Sequence, residues 1–181
     1  MLKEEIIKFN PFNEQEIKEK ELIINYLDTY DNLFTRENEM AHLTASSWIL
    51  NKQKTKVLMV YHNIYDAWSW VGGHADGELD LMKVAIREAV EETGITKVKP
   101  LSNDIFSIEI IGVDGHIKKG KYVGTHLHLN ITYLFEADEN ETLIIKPDEN
   151  SGVKWIDLKK VVSMCPEPNM RKIYDKLINK L

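Results

Sequence analysis

The sequence predicts an α/β fold with a sheet that is mixed or antiparallel in part, preceded by a helical extension at the amino terminus. Three observations carry this. Period-two apolar segments recur at 44–50, 57–61, 105–113, 126–136 and 153–156. Helical apolar spacing appears at both ends and once in the middle. Turn-rich joints separate these segments at Asn51-Lys52-Gln53-Lys54, Asp114-Gly115 and Pro147-Asp148-Glu149-Asn150-Ser151-Gly152.

From residue 2 to about 33, charged residues alternate with Ile6, Ile7, Ile17, Leu22, Ile24, Leu27, Tyr30 and Leu33 at helical spacing, broken by Asn10-Pro11. Two helices are expected in this extension, residues 1–38, ahead of a domain spanning 39–181. Amphipathic helices need an apolar partner, so they are expected to cap a pocket or build a homodimer interface. The segments 44–50 and 57–61 read as a hairpin around Asn51-Lys54. Pro168 opens a last amphipathic helix through Ile173, Leu177 and Leu181, expected to close one sheet face.

The central helix is unusual. At about 100° per residue, Leu81, Val84 and Ala85 form one stripe, which Glu88, Glu91 and Glu92 continue. Like charges at i,i+3 and i,i+4 repel by about 0.2–0.5 kcal/mol per pair, and desolvation adds to this. A cation is therefore expected there, and a hard divalent ion such as Mg²⁺ or Mn²⁺ suits carboxylate donors best. A solvated acidic face is the competing reading for the glutamates taken alone. Gly72-Gly73 allow close backbone approach before the helix, after the strand-like Ala67-Trp68-Ser69-Trp70-Val71, and Gly94 supplies a stop. Arg87, four residues before Glu91, is expected to pair with it and hold its rotamer.

The run from Gly73 through Arg87-Glu88-Ala89-Val90-Glu91-Glu92-Thr93-Gly94-Ile95 resembles the signature of the Nudix hydrolases: Gly, five residues, Glu, seven residues, then Arg-Glu-apolar-any-Glu-Glu-any-Gly-apolar. The resemblance covers about 40–165. One position departs: the first signature Glu falls on Leu79, flanked by Glu78 and Asp80, either of which would substitute after a one-residue shift. The resemblance implies helices on both sides of a mixed sheet, an α/β/α sandwich, and metal-dependent hydrolysis of a diphosphate bond in a nucleoside diphosphate joined to another group. By position it makes Glu91 and Glu92 principal metal ligands, Glu88 a ligand or the water-activating base, and Gly73 a carbonyl ligand. It also points to a later loop for the base, where Asp148 and Glu149 stand.

Other candidates are open to two readings. His126, His128, Asn130 and Thr132 share one strand face, which meets either water or the ligand, where two imidazoles in register would bind phosphate or a third metal. His42 is a weaker candidate of the same kind, and His74 reads as a loop position. Trp68 and Trp70 alternate toward one side, for base stacking or for core packing.

Bulk properties narrow the function. The 181 residues, 43% hydrophobic, suit one well-buried domain. A formal net charge of −6 opposes binding to a nucleic acid polymer and favours a small phosphorylated substrate, met by a local cluster such as Lys118-Lys119-Gly120-Lys121. With no apolar signal-like start and no stretch near the roughly 18 apolar residues of a span, a soluble, cytoplasmic protein is expected. Cys165, the single cysteine, excludes an intrachain disulfide.

Two alternatives stand beside the hydrolase. An isopentenyl diphosphate isomerase-like enzyme shares the fold but relies on a Cys near the glycine loop, absent here. A non-catalytic nucleotide-sensing domain fits Leu79, although the acidic amino-terminal segment offers no basic recognition helix.

Overall fold

The structure, a computed structural model, describes residues 1–118 and 120–181. Lys119 of the expected basic cluster lies outside the described residues. In chain order the elements are α1 (Leu2–Lys8), α2 (Glu14–Thr29), β1 (Ala41–Asn51), β2 (Lys56–His62), β3 (Ala67–Ser69), β4 (Val71–His74), α3 (Leu81–Thr93), β5 (Lys99–Pro100), β6 (Ser107–Val113), β7 (His116–Lys118), β8 (Lys121–Val123), β9 (His126–Ala137), β10 (Asn150–Asp157), α4 (Leu158–Met164) and α5 (Pro168–Asn179).

The main sheet runs β10-β2-β1-β9-β5, with β3 on β2, β4 on β1 and β6 on β9. β1 and β9 are parallel along their whole length, Ala41 opposite Leu127 through Asn51 opposite Ala137; the other pairs are antiparallel, so the sheet is mixed as expected.

Strand periodicity sorts side chains into two cores. Leu43, Ala45 and Ile49 of β1, Leu58 and Val60 of β2, and Leu129, Ile131, Tyr133 and Phe135 of β9 join Leu81, Val84, Ala85 and Ala89 of α3. The alternate residues Trp48, Leu50, Val57 and Met59 face Val161 of α4 and Tyr174 and Leu177 of α5. Each fully buried Leu, Ile or Phe stabilises the fold by about 1.5–3 kcal/mol. The sandwich of helices on both sheet faces follows from this alternation.

The amino-terminal helices find their apolar partner within the chain. Leu2, Ile6 and Ile23 are buried in the same cluster as α3. Charge also ties them down: Glu16 of α2, fully buried, contacts Lys176 of α5 at 3.1 Å and Lys180, just past the end of α5, at 2.7 Å, and Lys176 reaches Glu109 of β6 at 2.9 Å.

Several details differ from expectation. β1 begins at Ala41, three residues before the expected Thr44, because Ala41, His42 and Leu43 continue the parallel pairing with Leu127, His128 and Leu129 of β9. The Ala67–Val71 stretch is two short strands that change partner at Trp70, from β2 to β1. β5, the β7–β8 hairpin and α4 are short elements that periodicity did not reveal. Among the described residues no helix is long and apolar enough to cross a membrane.

Candidate active site

α3 is specified at both ends. Asp80 caps it by accepting from the Lys83 backbone N–H at 3.2 Å, and Gly94 ends it in the left-handed conformation at φ 74°, where a Cβ would also meet Ile144 at 2.7 Å. Ser47 of β1 donates to the Ala85 carbonyl at 2.8 Å and fixes the helix against the sheet.

Three carboxylates converge beside it. Glu88 and Glu92 of α3 and Glu149 from the loop before β10 bring one oxygen each within 4.8 Å of one another. Gly73 forms the floor: a Cβ there would lie 2.5 Å from the Glu88 carboxyl carbon. The Gly72 N–H donates to Glu92 Oε1 at 3.3 Å. Arg87 donates to Glu88 Oε1 at 2.9 Å and to the His74 carbonyl at 3.3 Å, joining helix and glycine strand.

Electrostatics at this cluster favour a cation. Burial, then the neighbouring Glu88 and Glu149 charges, push the Glu92 carboxyl up to about 8. Burial also raises Glu88, against the opposing pull of Arg87. All three donors are hard oxygens on a glycine floor that admits close approach, which fits Mg²⁺ or Mn²⁺.

The remaining expected residues are placed as follows. Arg87 pairs with Glu88 instead of Glu91, because Glu91 pairs with Lys146 at 3.2 Å, and Lys146 also holds Glu149 at 3.1 Å. Glu91 thus stands beside the three-carboxylate cluster, linked to it through Lys146. Leu79 is 69% exposed. Glu78 accepts from the Asp80 N–H and Asp80 caps α3, so both flanking acids are engaged in starting the helix. Asp148 is not among the clustered carboxylates; its neighbour Glu149 is.

Trp70 is buried edge-on against Tyr174, at 5.8 Å between ring centres, and Trp68 packs on Tyr61 with Lys154 over its ring. The strand face of His126, His128, Asn130 and Thr132, expected to meet either water or the ligand, is largely buried, which disfavours water. Asn130 accepts from Thr44 and Ser46 and donates to Glu109 and Thr132, while the two histidines lie against His42 and His74. Burial, and then the adjoining imidazoles, lower His128 to about 2; burial lowers His42 as well.

Two contributors were missed in the sequence. Lys146 carries no mark in the sequence. Asn150, fully buried, looked like a turn residue, yet its side chain reaches α3. Only the loop's closure against the helix distinguishes them.

A family model for the NUDIX domain matches residues 40–181. The chain belongs to the NUDIX family. Among solved structures, an Ap4A hydrolase from C. elegans is 21% identical, with TM-score 0.52 over 78% of this chain and 96% of that one. A NUDIX-family hydrolase from Clostridium perfringens is 18% identical, with TM-score 0.53 over 76% and 96%. The E. coli dihydroneopterin triphosphate pyrophosphohydrolase is 14% identical, with TM-score 0.55 over 77% and 96%. These likenesses are of fold. No curated protein matches the sequence. As a NUDIX protein the chain is a hydrolase acting on phosphorus-containing acid anhydrides.

Proposed function

We propose that this NUDIX protein hydrolyses, with a divalent metal ion, the diphosphate bond of a nucleoside diphosphate joined to another moiety. The observation that carries the reading is the convergence of Glu88, Glu92 and Glu149 on the Gly73 floor, with Glu92 buried and its carboxyl raised to about 8.

Glu88 and Glu92 would hold the ion with the Gly73 backbone, Mg²⁺ in the first instance and Mn²⁺ as a substitute. When bound, the ion neutralises diphosphate oxygens and lowers the pKa of water. Arg87 fixes the Glu88 carboxylate by its 2.9 Å contact, and the Gly72 N–H orients Glu92. Glu149 comes from a loop instead of the helix, and it accepts the proton of the attacking water. Glu91 acts through Lys146, which it shares with Glu149, and sets where that loop sits.

A small phosphorylated substrate suits the net charge of −6 better than a nucleic acid polymer. The 69% exposure of Leu79, where the family signature carries Glu, favours a second reading, a sensing domain that binds nucleotide without turnover.

The test is product release from a panel of nucleoside diphosphate derivatives with Mg²⁺ or Mn²⁺, comparing wild type with Glu92→Gln. Metal-dependent release from one substrate class, lost in Glu92→Gln, is the expected result. Metal and nucleotide binding without turnover on any substrate would replace the hydrolase by the sensing domain.

A further inference from the structure

Four of the six histidines meet on one face of the sheet, and strand register brings them there. His42 of β1 is directly opposite His128 in the parallel β1–β9 pair, and His126 lies two residues earlier on the same face of β9. His74 of β4 is opposite Thr44, which shares the face of His42. One ring nitrogen from each of the four lies within 4.8 Å of the other three. Gly73, one residue earlier on β4, faces Glu88 on the opposite side of the sheet, so this cluster is separate from the carboxylates.

Two of the four rings, those of His42 and His126, are anchored as ligand imidazoles are. His42 Nδ1 lies 3.0 Å from the Asn38 carbonyl and His126 Nδ1 lies 2.8 Å from the Gly124 carbonyl. A carbonyl only accepts, so each Nδ1 carries the proton and each Nε2 is left with a lone pair. Carbonyl anchoring of this kind fixes the tautomer and ring plane of metal-binding histidines. His42 Nε2 is buried with no hydrogen-bond partner among the described residues, in a side chain only 6% exposed. The Nε2 atoms of His126 and His128 approach to 3.2 Å. A tetrahedral ion with Zn–N bonds of about 2.0–2.1 Å spaces its donors about 3.3–3.4 Å apart, whereas a square-planar ion of the same bond length spaces them about 2.9 Å.

We propose that His42, His74, His126 and His128 form a second metal site, an all-imidazole tetrahedral site for Zn²⁺, distinct in donor chemistry from the Mg²⁺-type carboxylate cluster. Nitrogen donors select a borderline transition ion over Mg²⁺, which prefers oxygen and water. Bound there, Zn²⁺ ties β4 to β1 and β9 at the strand ends nearest the glycine loop. Arg87 connects the two sites by contacting both the His74 carbonyl and Glu88.

The experiment titrates chelator-stripped full-length protein with Zn²⁺ against a chromophoric chelator, and with Co²⁺ followed by visible absorption. With saturating Mg²⁺ present to occupy the carboxylate cluster, wild type and Glu92→Gln are expected to bind one more equivalent of Zn²⁺ than the His42→Ala/His128→Ala variant. Co²⁺ is expected to give the intense band of a four-coordinate ion in the first two proteins alone. In unmutated protein labelled with ¹⁵N-histidine, Zn²⁺ is expected to shift the ring nitrogens of His42, His74, His126 and His128 and leave those of His62 and His116 in place. This last measurement decides the matter even if the double variant does not fold. Equal Zn²⁺ in the double variant, loss of that equivalent in Glu92→Gln, or unmoved histidine resonances would overturn the site.

Discussion

The side-chain amide of Asn150 donates to the backbone carbonyl of Glu92 at 2.9 Å, so the loop that delivers Glu149 is fastened to the helix turn that delivers Glu92. Asn150 Oδ1 also accepts from the Lys146 N–H at 3.2 Å, which closes the loop on itself. The three-carboxylate cluster therefore depends on a residue that is not acidic.

Asn150→Ala removes that tie and leaves a buried carbonyl unpaired, at a cost of about 1–3 kcal/mol. A misplacement of about 1 Å at reacting groups costs roughly 100-fold in rate. Denaturant unfolding should show the stability loss, and kcat should fall by about 10- to 100-fold in protein that remains folded. Unchanged kcat would detach Asn150 from catalysis.

Gly73→Ala places a Cβ 2.5 Å from the Glu88 carboxyl carbon and forces that side chain to move, whereas a Cβ at Gly112 meets nothing within 4 Å. Gly73→Ala should lose most of its activity and bind Mn²⁺ more weakly. Gly112→Ala should resemble wild type in both assays.

Glu149 and Asp148 are adjacent acids in one turn, and only Glu149 joins the carboxylate cluster. Glu149→Gln should lower kcat by about 100-fold or more, in the range expected for a lost general base. Asp148→Asn should stay within a few-fold of wild type under the same steady-state assay.

Glu16 is fully buried, and burial alone would raise its carboxyl. The hydrogen bonds from Lys180, Ser107 and the Phe12 N–H, with the charge of Lys176, outweigh this and hold it below its ordinary value of 4.5. A lowered folded-state value contributes stability that is present above about pH 4.5 and lost as the pH falls through the folded value. Glu16→Gln strands Lys180, while Lys176 keeps Glu109, and should destabilise the fold by about 3–5 kcal/mol at pH 7. Thermal melts from pH 7 down to 3 should show the gap between wild type and variant narrowing below pH 4.5.

The central helix was legible in the sequence because a 3.6-residue stripe and a C-terminal glycine are local signals, whereas Asp80, read only as a stand-in for the missing signature Glu, is its N-cap. The parallel pairing of β1 with β9 is not local: the 85 residues between His42 and His128 hold no mark of their register. That is why the histidine face read as half-exposed, and why His74 read as loop filler. Arg87 illustrates the same limit. Its helical spacing to Glu91 is correct, but Lys146, 55 residues further on, claims Glu91 and leaves Arg87 to Glu88. Asn150 had a turn-like context and owes its role to the carbonyl it finds at the end of another element.

The most direct measurement is to run the nucleotide-derivative panel in ¹⁸O-labelled water with Mg²⁺, for wild type and Glu92→Gln, and to follow the label by mass spectrometry. Diphosphate hydrolysis predicts ¹⁸O on one phosphoryl product of wild type, dependent on Mg²⁺ and absent from Glu92→Gln. Turnover that leaves the products unlabelled, or labelled turnover undiminished in Glu92→Gln, would contradict the account.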